Sequence, residues 1–128
     1  MEKRDLIQAE IEKIGFFLQR LLAKFMNSNS SENSSEATNL ISKELKNELD
    51  FDLSFFVSLS NDEMKKYLSN FKFNDNHIEQ LADLLAEMST SNRHLTKALE
   101  LLNLADELSN SFSFERNSKK IKIQKLLE

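Results

Sequence analysis

His77 and His94 are the only imidazoles in the chain, and cysteine is absent. A zinc site of the H-E-x-x-H type needs two histidines on one helix, and a bundle di-metal site needs a Glu three residues before a His. Neither histidine has such a neighbour. Both fall near the starts of adjacent predicted helices, where they could be spatial neighbours, but ordinary surface or cap-proximal histidines are the preferred reading. No metal or cofactor is expected. Without cysteine there is no thiolate nucleophile, and no serine stands in a G-x-S-x-G elbow. A chain with one glycine cannot build a glycine-rich phosphate loop. Carboxylates are plentiful, but Glu44/Glu48 and Asp83/Glu87 lie at helical spacing among polar residues, the pattern of a solvated face. No catalytic residue is assigned and no enzyme is expected. An unrecognised enzyme would need a cleft of convergent titratable groups including His77 or His94.

The other group with a chemical reading is the basic run Arg116, Lys119, Lys120, Lys122 and Lys125. It could form a patch for nucleic acid or for an acidic partner. The preferred reading is a solvated helix face whose cations suit the C-terminal end of the helix dipole, or one that pairs with the protein's own acidic body. No aromatic residues interleave with it to stack on bases. Net charge is −4, unevenly spread. Residues 1–26 carry five bases and four acids, residues 27–114 seven and fifteen, and residues 115–128 five and two. An acidic body does not draw nucleic acid by its general field, so a nucleic-acid role would rest on the last segment alone.

The elements that would position these residues read as helices. There is no proline, and Leu, Glu, Lys and Ala are common. That composition favours helices joined by polar loops. Over residues 4–26, Ile7, Ile11, Ile14, Leu18, Leu21 and Phe25 recur at steps of four and three, which aligns them on one helix face. Leu6, Phe17, Leu22 and Met26 widen the stripe, so packing within a bundle is the first reading. A homodimer through this helix is the second. Phe16 lies opposite the seam between Ala9 and Ala23, as a second contact or a partly exposed ring. Gly15 in the helix interior suggests a close approach by another helix. Residues 27–35, rich in Ser and Asn, form a polar loop.

A second helix is expected over 36–50, capped by Ser34 or Ser35, with Ile41, Leu45 and Leu49 in line and Leu40 beside them. Residues 51–59 alternate apolar and polar like a strand, but a lone strand lacks a partner. A short helix begun by Asp52, with Leu53, Phe56 and Val57 inward, is preferred. Ser60 and Glu63 have capping-box spacing before Met64, Tyr67 and Leu68. Asn74, Asp75 and Asn76 offer the next cap, with Glu79 three residues after Asn76. Ile78, Leu81, Leu85 and Met88, flanked by Ala82 and Leu84, then line a helix. Leu95, Ala98, Leu99, Leu102, Ala105 and Leu108 line another over 92–110. The last spans 115–127, with Ile123 and Leu127 a turn apart.

Residues Glu79 to Phe112 resemble a single tetratricopeptide-type (TPR-like) helical hairpin. Leu85 and Ala86 stand as the large–small pair of the first helix, and Ala98, Leu102 and Ala105 as the small, large and small positions of the second. Ala82 and Ser89 depart from the aromatics usual there, and Asn110 from the usual proline. The resemblance implies close helix crossing and a groove that could hold a peptide; that use fails if the chain's own last helix fills the groove. The layout also resembles small bacterial helical proteins. The expectation is one all-α domain over residues 1–128, a five- to six-helix bundle with a long amphipathic first helix. It is expected to be cytoplasmic, with no segment able to span a membrane. Its role is protein interaction or scaffolding, with another protein or with itself.

Overall fold

The computed structural model describes residues 2–27, 34–71, 73–88 and 92–127. The chain is all-α: seven helices and no strand are found among the described residues. They are α1 (Glu2–Asn27), α2 (Ser34–Leu49), α3 (Leu53–Val57), α4 (Asn61–Leu68), α5 (Asp75–Glu87), α6 (Asn92–Ser109) and α7 (Phe114–Leu127). The count exceeds five or six because α3 and α4 are separate short helices, each with its own cap. The middle of the Ser/Asn loop, residues 28–33, lies outside the described residues. Ser34 and Ser35 fall within α2 rather than ahead of it.

Local chemistry explains the boundaries. Asp52 caps α3, its Oδ1 accepting the Phe55 N–H at 3.1 Å, and Leu53, Phe56 and Val57 are buried as the short-helix reading expects. Ser60 and Glu63 form a reciprocal capping box at the start of α4. Asn74 caps α5, and the reciprocating residue is His77, not Glu79. α2 and α6 end on residues with positive φ, Asp50 at 57° and Asn110 at 53°. In each the amide of that residue donates to the carbonyl four residues back at 3.0 Å. This is the left-handed helix cap that glycine usually fills and that Asn or Asp tolerates.

α5 and α6 pack on each other most extensively and form the centre. α1 crosses α5 and buries Phe17, Leu18, Leu21 and Phe25 in the common core. α2 adds Ile41 and Leu45 beside α1, joined by a Lys24–Glu44 pair at 2.9 Å. Met26 stays exposed although it extends the α1 stripe in sequence, and Leu108 is exposed at the end of α6. Leu101 and Leu104 are buried as well as Leu95, Ala98, Leu102 and Ala105, so α6 is covered on more than one side. Phe51 has no exposed surface and packs its ring against Phe56, Tyr67, Phe71 and Phe73 at centroid distances of 4.9 to 6.2 Å. The Tyr67 hydroxyl accepts the Asp52 N–H at 2.8 Å and ties this aromatic cluster to the α3 cap.

Candidate functional site

Three places in the fold gather the residues with chemical potential. The first is the α1–α5 crossing. His77 is buried, and its Nδ1 accepts the Asn74 N–H at 3.1 Å. That leaves the proton on Nε2, which donates to the Ile11 carbonyl at 2.9 Å. Burial pushes the ring pKa down, and the Ile11 hydrogen bond and Asp75 only partly offset it. Gly15 stands at this crossing: a Cβ there would lie 3.6 Å from His77 Nε2 and 3.7 Å from its Cδ2, ordinary contact distances. Gln80 also reaches α1, its Nε2 donating to the Gly15 carbonyl at 3.4 Å. A cleft of about 570 Å³ opens beside them, bordered by Phe16, His77, Glu79, Asp83, Glu115 and Lys119. Four of its titratable groups are engaged with one another or with backbone. His77 uses both ring nitrogens, and Glu79, Asp83 and Lys119 are ion-paired. A general base needs a lone pair free to take a proton, and His77 offers none in this arrangement.

The second place is the face of α7 turned toward α5 and α6. Arg116, Lys119, Lys120 and Ile123 recur at steps of three, one and three and so share that face. Arg116 is only 5% exposed. Its Nε donates to Glu79 Oε1 at 3.0 Å, and its Nη1 donates to Asp106 Oδ1 and Ser109 Oγ at 3.1 Å each. Asp75 stands at 3.7 Å. Lys119 donates to Glu79 Oε2 at 2.6 Å and to Asp83 Oδ2 at 3.0 Å, and Lys120 pairs with Asp106. Burial pushes the Glu79 carboxyl up, but hydrogen bonds and charge from Lys119 and Arg116 outweigh it and hold the group below the usual range. Asp106 is lowered in the same way, with Lys120 and Arg116 overcoming burial. Asp83 is raised, because burial exceeds what Lys119 returns. Of the basic run, Arg116, Lys119 and Lys120 thus turn inward to the acidic body, while Lys122 and Lys125 are exposed on α7.

No protein family model, curated protein or solved structure matches this chain.

The third place is the corner between α6 and α7. Phe112 is 68% exposed and Phe114 81%, and their rings meet edge-to-face at 4.9 Å. The seam of the first helix lies elsewhere: Leu18, Leu21 and Phe25 are in the core, Ile14 and Ile11 are half-buried, and the Ile7 side chain falls outside the described residues. Phe16 is exposed opposite them, as are Ala9 and Ala23. His94 is half-buried in the first turn of α6, its pKa pushed down by burial and by Arg93. Among the described residues no group of three or more His, Asp or Glu is placed to hold a metal ion. No described helix is long and apolar enough to cross a membrane.

The carboxylates that receive α7 were the residues sequence reasoning missed. Glu79 and Asp83 stand one helical turn apart, as do Arg116 and Lys120, and Lys119 lies between those two cations. Two complementary charged faces were therefore visible. Nothing in their spacing showed that they meet.

Proposed function

We propose that this chain is a non-catalytic, cytoplasmic interaction protein that associates with a second copy of itself through the corner between α6 and α7. The observation that carries this reading is the Phe112–Phe114 pair, two large rings held together in solvent. Rigid aromatic side chains bring large contact area for little lost freedom and dominate the energetics of protein interfaces. Leu108, exposed in the last turn of α6, adds apolar surface to the same connection. The seam of α1 is a poorer candidate for a dimer, since its second half is already spent on the chain's own core. A TPR-like use of the α5–α6 hairpin for peptide capture is also less favoured, because α7 of the chain itself lies against that hairpin. The lack of cysteine suits a reducing compartment.

The test is the solution mass by light scattering across a concentration series, for the intact chain and for the Phe112→Ser/Phe114→Ser variant. The expected result is a mass that rises toward a dimer for the intact chain, and a folded monomer at every concentration for the variant. An intact chain that stays monomeric throughout overturns self-association. A dimer indifferent to the substitutions overturns the assignment to this corner.

A further inference from the structure

α7 is fastened to the protein differently from every other long helix. Of the buried apolar side chains that make up the core, only Ile123 belongs to α7. α1 contributes Phe17, Leu18, Leu21 and Phe25, and α5 and α6 supply most of the remainder. What holds α7 instead is charge: Arg116, Lys119 and Lys120 against Asp75, Glu79, Asp83 and Asp106. Beneath its C-terminal half the packing is incomplete. A cleft of about 260 Å³ remains between α7 and the body, bordered by Leu22, Ala82, Ala86, Leu102, Ile123 and Leu126. The connection to α6 is short, from Asn110 with its positive φ through Ser111 and the exposed Phe112 to Ser113, which caps α7 by accepting the Arg116 N–H at 3.2 Å.

A segment that buries little apolar surface opens at a lower free energy than the core it rests on. When α7 leaves, it uncovers an apolar strip of Ala82, Ala86 and Leu102 with Glu79, Asp83 and Asp106 along its rim. That surface fits one kind of occupant, an amphipathic helix with one arginine, two lysines and an apolar residue at the spacing of Arg116, Lys119, Lys120 and Ile123. The same pattern stands on α7 of a second copy. We infer that α7 is an exchangeable strap: it releases as a unit while α1–α6 stay folded, and the acid-rimmed groove it leaves accepts α7 of a second copy. This rests on the self-association reading above and gives it a second, separate contact.

The experiment titrates a fluorescently labelled peptide of residues 112–127 into the full-length chain and follows anisotropy. The intact chain is expected to bind weakly, because its own α7 competes. Arg116→Glu in the chain sets a carboxylate against Glu79 and Asp106 and frees the groove. It should tighten peptide binding at least tenfold while the circular dichroism loses no more than α7. Adding Glu79→Lys to that chain should abolish capture, and raising salt should weaken it. An Arg116→Glu chain that stays folded and binds no better overturns the proposal. Should that variant unfold, native-state hydrogen exchange on the intact chain decides: α7 amides exchanging through an opening that spares α5 and α6 support the strap, and α7 exchanging only with global unfolding overturns it. The Phe112→Ser/Phe114→Ser chain should capture a peptide of residues 115–127 as the intact chain does, which separates failure of the strap from failure of the aromatic corner.

Discussion

At the α1–α5 crossing, His77 accepts a backbone N–H at Nδ1 and donates to the Ile11 carbonyl at Nε2. Protonation of Nδ1 would turn that acceptor into a second donor facing the Asn74 N–H. Burial already lowers the pKa of His77, and that of His94 is lowered too. A histidine whose folded pKa lies below its unfolded value of about 6.5 leaves the unfolded chain holding more protons in the window between the two. Stability should therefore fall as pH drops below about 6.5, and stop falling once the folded value is passed. His77→Gln should flatten much of that slope, with His94 supplying what remains, when urea midpoints are compared from pH 8 to pH 5. A slope unchanged by the substitution would assign the effect elsewhere. Gly15 beside it makes a second case. A Cβ there would meet His77 at ordinary contact distance, so the close approach does not demand glycine. Gly15→Ala is expected to stabilise by up to about 1 kcal/mol through helix propensity, read as a raised urea midpoint.

Among the elements, α3 is too short to persist on its own helical propensity. Five residues fold there because Asp52 caps them and because Phe51, ahead of the helix, anchors the aromatic cluster. Phe51→Ala should cost about 3–5 kcal/mol, a large share of a domain's stability, and should lower the thermal midpoint more than any surface substitution. The end of α6 offers an opposite case. Asn110 holds a positive φ that glycine adopts without a side-chain penalty. Asn110→Gly should stabilise the cap by about a few tenths of a kcal/mol, seen as a small rise in the same midpoint. Both results speak to how the short helices and the turn before α7 are held.

Across the whole molecule, the second half of α1 is built into the core. Leu18 and Leu21 are each 1% exposed. Leu18→Glu would bury an unpaired carboxylate and is expected to abolish the cooperative unfolding transition, rather than release a folded monomer. The α5 and α6 carboxylates that pair with α7 set a pH limit distinct from that of the histidines. Glu79 and Asp106 have folded pKa values below the usual range, so their contribution is present above about pH 4 and is lost as pH falls through the folded values. Asp83, raised by burial, acts with the opposite sign. Two separate declines with falling pH are expected, the first from the histidines and the second at more acid pH from the α7 ion pairs.

Much of the helical framework was legible in the residues alone. The α1 stripe, the Ser60–Glu63 box, the Asp52 cap and the lines of Ile78, Leu81 and Leu85 are local signals, set by a 3.6-residue repeat and by side chains that reach only their own backbone. Where a second neighbour covers a helix, that periodicity fails: Leu101 and Leu104 lie off the expected α6 line yet are buried, and Leu108 lies on it yet is exposed. Phe51 and His77 were likewise hidden, because their burial depends on aromatic and α1 partners distant in the chain. The basic run shows the division most clearly. Its five cations and their helical spacing can be read from the sequence. That Arg116 and Lys119 turn inward was decided by the single Glu79 carboxylate, 37 and 40 residues away from them in the chain, which only the packing of α7 across α5 and α6 brings within hydrogen-bonding distance.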